Sequence, residues 1–398
     1  MGGGKGGVGK SLVASSLAVA FARRGLRTVV VDADLGAANL HTWLGTQSPS
    51  RTLSHFLSGE VDDLAEVMAP TSVPNLSLVG GSRALTDMAN PKSAQKQKFL
   101  RHIRRLGVDH VLVDLSAGSS FNVLDFFVAA QRGILVVTPE PTSIENAYYF
   151  LKAAFFRSLR AVARRPGVRA AIRVVLEERS RRRLLTPREL IAQVSQLDRS
   201  AGVLLQERAR AFAPELIVNQ VHPSEHRDPG RDIAIVARNF LGIHVQPLGC
   251  LPRDAHVVDS LREQRPVLER FPGCSFVRDL EKVAVRLLRN GAAAEPETPA
   301  PVARSNASPA PEAPLDLSRP GACFRRRREQ LGLDLGEVCR QTRIRGIERI
   351  EDERFAELPP EPYVRGFLLQ YARALGIREG EALAASFLER YRQAVAQA

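Results

Sequence analysis

The sequence predicts an α/β unit with a doubly wound, mostly parallel sheet, joined by a proline-rich stretch to a small all-α unit. Three observations carry this. Apolar runs of buried-strand type recur at Arg27–Asp34, His110–Asp114, Gly133–Thr138 and Leu216–Val221. Helical patterns lie between them, the alternation that builds a parallel sheet. Residues 291–322 carry seven prolines in thirty-two positions, and beyond Phe324 only helical patterns remain.

The first element is the loop Met1-Gly-Gly-Gly-Lys5-Gly-Gly-Val-Gly-Lys10-Ser11, followed by an apolar helix over Leu12–Phe21. Gly4, Gly9, Lys10 and Ser11 fit G-x-x-x-x-G-K-[ST], and Gly6, Gly7 and Val8 lie between them. Glycines let successive N–H groups turn inward on an anion, and the helix N-terminus adds its own donors and dipole. The pattern predicts a P-loop NTPase fold that binds ATP and Mg²⁺. Lys10 reaches the β- and γ-phosphates, and the Ser11 hydroxyl ligates Mg²⁺. Such a loop normally follows a strand, yet only Met1 and glycines precede it here. The expectation is that the first strand is missing from this chain and that the natural chain starts upstream.

The run Lys5-Gly6-Gly7-Val8-Gly9-Lys10-Ser11 resembles the deviant phosphate loop of the MinD/ParA ATPases. That resemblance makes Lys5 a lysine that reaches across an ATP-bound homodimer; the plainer alternative is a solvated charge. The strand Arg27–Asp34 ends in Asp32-Ala-Asp34, and the following Leu35–Leu40 resembles the family's switch segment. By likeness, Asp34 positions the attacking water and Asp32 helps organise Mg²⁺. Asp114, ending the next strand, reads as the acid that holds Mg²⁺, with Gly118 in the switch loop after it. Ser116 stands where related chains often carry Gly or Pro. The runs Phe121–Phe127 and Pro139–Ile144 resemble the FlhG-like branch. Asn219 matches the family's base-binding amide, and Pro252 and Asp254 its adenine pocket; a satisfied strand-end amide is the alternative for Asn219.

Composition narrows the class. The chain has 398 residues, 44% hydrophobic, long enough for more than one domain. No apolar run approaches the about 18 residues of a membrane span, and no signal peptide is visible. Cys250, Cys274, Cys323 and Cys339 show no paired metal spacing and read as reduced thiols, so a cytoplasmic protein is expected, with a peripheral place at the inner membrane or cell pole left open. The net charge is +13, but Arg157–Arg183 alone holds ten arginines and two glutamates, a net of +8. This stretch belongs to a helical insertion over about 155–212, in which Thr186-Pro187-Arg188-Glu189 reads as a capping box. It is an electrostatic footprint for DNA or an anionic membrane surface, or a solvated face. Residues 49–100 are assigned no chemistry beyond a short strand at Leu76–Val79.

Phe276–Arg289 places Leu280, Val283, Leu287 and Leu288 on one helical face, a closing core helix or, alternatively, a membrane-surface helix. The expected organisation is an ATPase domain over 1–290, a disordered linker over 291–322 and a helix-turn-helix domain over 323–398. In the last, helices over Phe324–Leu331, Leu335–Thr342 and Arg345–Asp352 and the longer one around Tyr363–Leu375 resemble the RodZ N-terminal domain. Arg345 and Arg349 would face a DNA groove. Yet residues 324–398 hold fourteen arginines against twelve acids, and phosphate neutralisation dominates DNA affinity. A protein partner is therefore expected here ahead of DNA.

The resemblance implies a dimerising switch ATPase for placing a cellular structure such as the flagellum, slow and partner-stimulated. The rival is an ATP-controlled DNA-binding regulator or a ParA-like partitioning protein. An Mrp-type iron–sulfur carrier lacks its cysteine pair, and an amide synthase its glutaminase segment.

Overall fold

Strict alternation along each strand sends neighbouring residues to opposite sides of the sheet. In the strand Thr28–Ala33 (β1), Val30 faces the cluster around the first helix, while Val29 and Val31 face a second cluster; all three are fully buried. The structure is a computed structural model. It describes residues 1–34, 38–81, 91, 93–179, 186–222, 228–289, 316–342, 344, 346–358, 361–377 and 379–396. They form two compact units, Met1–Ala294 and Glu295–Ala398.

In the first unit the further strands are β2 Met68–Pro70, β3 Leu76–Val79, β4 His110–Leu115, β5 Ile134–Val137, β6 Glu215–Val221 and β7 Gln246–Pro252. Two ladders form, β2-β3-β1-β4 and β5-β6-β7, parallel except for the edge strand β2. Met1–Gly3 lies between them. Leu115 N–H donates to Met1 O at 3.0 Å, Gly2 N–H to Ile134 O at 2.9 Å, and Val136 N–H to Gly2 O at 2.9 Å. The expected gap between β4 and β5 is therefore bridged at the strand ends nearest the loop.

The helices of this unit are α1 Lys10–Ala22, α2 Leu40–Trp43, α3 Leu53–Ser58, α4 Ser93–Ile103, α5 Phe121–Ala129, α6 Pro141–Ser158, α7 Pro166–Arg179, α8 Pro187–Leu197, α9 Arg199–Ala211, α10 Pro229–Val236, α11 Ala255–Arg262, α12 Val267–Arg270 and α13 Ser275–Arg289. Of α1, only Ser11 is not buried, so this helix is apolar all round and lies inside the unit. With α13 it covers one sheet face; α5, α6, α8 and α9 cover β5 and β6 on the other, and α3 and α4 cover β1 and β3. In α13, Phe276, Leu280, Val283 and Leu287 are buried. Exposing Leu280, Val283 and Leu287 would cost about 5–9 kcal/mol together. That decides for the core helix over the membrane-surface alternative.

The capping box at Thr186 forms as expected, Glu189 N–H to Thr186 Oγ1 at 3.2 Å and Thr186 N–H to Glu189 Oε2 at 2.8 Å. The second unit is all helical: α14 Pro320–Gln330, α15 Leu335–Thr342, α16 Ile347–Glu351, α17 Glu361–Ala374 and α18 Gly380–Ala396. Its core centres on Phe324 stacked on Tyr371, centroids 5.0 Å apart. Arg328 binds Glu351 through two hydrogen bonds of 2.7 and 2.8 Å, and the buried Tyr371 hydroxyl donates to the same carboxylate. Arg343, Arg345 and most of the linker lie outside the described residues.

Candidate nucleotide site

The loop between Met1–Gly3 and α1 owes its shape to glycines at two points. Gly7 and Gly9 have φ of +78° and +88°, where a β-carbon is strained. At Gly4 the limit is space: a Cβ there would lie 2.3 Å from the Asn146 carbonyl oxygen of α6. Gly6 is exposed and Val8 is buried.

Two residues at the end of β6 hold the loop from below. Asn219 is 1% exposed, and its Nδ2 donates to Val8 O at 3.0 Å. Gln220 Nε2 donates to Gly7 O at 3.2 Å, from a residue with φ of +59°. Asn219 thus gives one of its two amide N–H groups to the loop, as in the satisfied strand-end alternative; the base-binding role expected by resemblance would use the other N–H or the oxygen. Gln220 carried no sequence signal, because its role depends on where β6 ends relative to the loop.

The charged centre is built from α1, β1 and β4. Lys10, Asp32 and Asp114 are 8%, 2% and 1% exposed. Asp114 accepts a hydrogen bond from the Ser11 side chain, and burial pushes its pKa up to about 6. Its Oδ1 is buried without a hydrogen-bond partner. Burial lowers the Lys10 pKa, opposed by Asp114 and Asp34. Asp32 accepts from Asn39 N at 2.9 Å, Leu40 N at 3.0 Å and Asp34 N at 3.2 Å. Burial nonetheless leaves its pKa raised. Asp32 is therefore the anchor that pins the start of α2, and residues 35–37 of the intervening segment lie outside the described residues.

Asp34 is half-buried, and Ser116 donates to its Oδ1 at 3.1 Å. The serine noted as a departure thus ties the loop after β4 to the segment after β1. Gly118 N–H donates to Gly3 O at 3.0 Å, which brings the same loop against the phosphate loop. Lys5 is exposed, its Nζ 3.1 Å from Thr142 Oγ1 at the start of α6. The structure thus brings Lys10, Ser11, Asp32, Asp34 and Asp114 together at the strand ends, with Lys5 on the rim.

The residue set fits Mg²⁺. A buried carboxylate oxygen without a partner, next to a hydroxyl, is an oxygen donor set of the hard type. Among the described residues no group of three His, Cys, Asp or Glu could hold a metal ion. Magnesium takes one or two protein ligands plus phosphate oxygens and water, and Ser11 and Asp114 would be the ligands from the protein side.

Pro252 and Asp254, expected on the adenine side, lie at and just beyond the end of β7. Asp254 caps α11, accepting from His256 N at 3.0 Å, and also accepts from Ser275 Oγ at 2.5 Å and Phe276 N at 3.2 Å at the start of α13. Burial opposes its charge, but the bonds from Ser275, His256 and Phe276 outweigh that and hold the carboxyl well below the usual range. Asp254 thus joins two helix starts. Pro252 is half-buried at the end of β7, paired with Val221.

The arginine stretch is also reduced. Arg157 is packed, with Nη2 2.7 Å from Asp125 Oδ2 and its guanidinium 4.9 Å from the Phe121 ring centroid. Arg160, Arg164, Arg165 and Arg169 are exposed, and residues 180–185 lie outside the described residues.

Residues 1–267 match the family model for the CobQ/CobB/MinD/ParA nucleotide binding domain, and residues 323–382 match a helix-turn-helix domain model. The antiactivator FleN of Pseudomonas aeruginosa is 30% identical over 273 residues, 68% of this chain and 78% of that protein. The flagellum site-determining protein YlxH of Helicobacter pylori is 32% identical over 151 residues, 37% of this chain and half of that protein. The fold is shared with the septum site-determining protein MinD of Pyrococcus horikoshii, solved with Mg-ADP, at 20% identity and a TM-score of 0.50 over 73% of this chain and 96% of that one. With its phosphate loop, its strand-end acids and two thirds of its length inside the family model, this chain belongs to the CobQ/CobB/MinD/ParA nucleotide-binding family, in a form that also carries a helix-turn-helix domain.

Proposed function

We propose that the chain is an ATP-driven dimerising switch that helps place a cellular structure, the flagellum first among them. The observation that supports this best is the buried Asp114 Oδ1, left without a partner beside the Ser11 hydroxyl. A buried carboxylate oxygen is costly to leave unpaired, so it marks a place built for something else to bind. Ser11 and Asp114 would hold Mg²⁺, with Asp32 keeping the adjoining segment in place. When bound, Mg²⁺ neutralises charge on the β- and γ-phosphate oxygens. The N–H groups from Gly4 to Ser11, braced by Asn219 and Gln220, receive the phosphates, and Lys10 adds its charge. Asp34, oriented by Ser116, positions the attacking water. Lys5, which among the described residues touches Thr142 at the rim, would reach a second copy's nucleotide.

Flagellar placement is carried over from YlxH, whose name states it. The C-terminal unit would choose a protein partner. Several of its surface arginines are answered by its own acids: Arg325 and Arg354 by Asp352, Arg349 by Glu357, Arg390 by Glu353, Arg392 by Glu361. Arg349, the groove candidate, is therefore engaged within the domain. An ATP-controlled DNA-binding regulator is the second reading, favoured by the helix-turn-helix match.

Single-turnover hydrolysis of ATP by the full chain tests the proposal. The wild type should turn over slowly with Mg²⁺ and not with EDTA. Asp34→Ala should still bind ATP and hydrolyse it about 100-fold or more slowly, the usual contribution of a positioned acid–base group. Wild-type rates in Asp34→Ala would remove Asp34 from its role.

A further inference from the structure

The helical insertion presents a face that the nucleotide chemistry does not use. In α7, Val168 and Val175 are buried and Ala171 and Ile172 partly buried, all against the core of the N-terminal unit. At 100° per residue the opposite arc carries Arg169, Ala170, Arg173, Val174 and Leu176, all exposed. Arg160, Arg164 and Arg165 stand exposed just before the helix. Arg164, Arg165 and Arg169 pair with no carboxylate among the described residues, unlike Arg325 and Arg349 of the C-terminal unit.

Charge is half of the observation. Nine large apolar side chains are exposed among the described residues, and four of them, Val174, Leu176, Leu197 and Val203, fall within α7, α8 and α9. Val174 and Leu176, 40% and 39% exposed, flank Arg169 and Arg173 around the helix. A phosphate backbone takes the arginines and offers little to an aliphatic group beside them. A bilayer takes both: anionic headgroups meet the guanidinium groups, and the aliphatic side chains enter the boundary below them.

We propose that the exposed face of α7, with Arg164 and Arg165 ahead of it, is a contact surface for an anionic lipid bilayer. This goes beyond the switch mechanism and does not depend on it. The membrane-surface alternative for Phe276–Arg289 is not available for the purpose, because α13 spends its apolar face on the core.

The test is flotation of the full chain with vesicles of phosphatidylcholine containing roughly 30% phosphatidylglycerol, with pure phosphatidylcholine and a duplex of roughly 30 base pairs as comparisons. The proposal expects binding to the anionic vesicles alone. Each arginine near such a surface contributes roughly fivefold, so Arg164→Gln, Arg165→Gln and Arg169→Gln together should weaken binding roughly 100-fold. The same three positions changed to Lys should keep most of it. Leu176→Ser, at unchanged charge, should weaken it roughly three- to tenfold. Circular dichroism and ATP affinity of each variant report folding. No vesicle binding by the wild type, or binding that survives the triple Gln variant, overturns the proposal. Duplex binding that is lost in the triple Gln variant and indifferent to Leu176→Ser overturns it in favour of nucleic acid.

Discussion

Gly9 and Asn219 form a single mechanical unit, and a double-mutant cycle can measure it. A Cβ on Gly9 would lie 2.2 Å from Asn219 Nδ2, and Gly9 has φ of +88°. Gly9→Ala therefore imposes two costs. Backbone strain in the left-handed region is about 1–2 kcal/mol. The collision also pushes Asn219 off Val8 O, breaking a buried bond and leaving the carbonyl unsatisfied, about 1–3 kcal/mol. Asn219→Ala alone costs only the second amount. In the double variant the collision is gone and the bond is already lost, so the total should match Gly9→Ala alone. The interaction energy should then be about 1–3 kcal/mol in magnitude, the double variant being less destabilised than the sum. Urea unfolding of the N-terminal unit reads stability, and calorimetric titration with ATP reads the loop. Simple additivity would refute the bracing of the loop by Asn219.

Two further outcomes follow from the ion network of each unit. Asp254→Asn keeps one acceptor oxygen and loses the other, so it should destabilise the N-terminal unit at pH 7 by about 0.5–2 kcal/mol, the scale of one helix cap. The folded pKa of Asp254 lies below its ordinary value of 3.8, so its contribution is present above that value and lost as pH falls through the folded value. The stability gap between wild type and Asp254→Asn should hold from pH 7 to about 5 and shrink below about 4; a gap unchanged at pH 3 would contradict the capping account. In the C-terminal unit, Glu351→Ala strands Arg328, whose side chain is 11% exposed, and the Tyr371 hydroxyl. That should cost about 3–5 kcal/mol and abolish or sharply lower this unit's thermal transition, while ATP affinity, the control, stays at the wild-type value.

The parts legible in the sequence are those fixed by local pattern. Leu76–Val79 and Leu335–Thr342 occur at the residues expected, because an apolar run bounded by turn residues and a short amphipathic repeat each carry their own ends. The phosphate loop and the strand-ending Asp32 and Asp114 were legible because a loop, a strand and an acid at set spacing leave few other uses. The edge strand Met68–Pro70 was not, since three residues carry no period. The contacts of Asn219, Gln220 and Asp254 were not legible for a different reason. A strand-end amide looks the same whether it faces a base or a neighbouring carbonyl, and an Asp before a helix looks the same whether it caps one helix or two. Their partners lie 211, 213 and 21 residues away in the chain, so only the folded contacts decide. Arg157 belongs with them: in sequence it reads as part of a basic run, yet Asp125 and Phe121 claim it.

The claim on which the rest depends is that nucleotide controls association through this site. Size-exclusion light scattering of the full chain, with ATP and Mg²⁺ and then with ADP, measures it directly. The account predicts a dimer with ATP only, longer-lived in Asp34→Ala and absent in Lys5→Ala. A monomer in every nucleotide state, with ATP measurably bound, would contradict it.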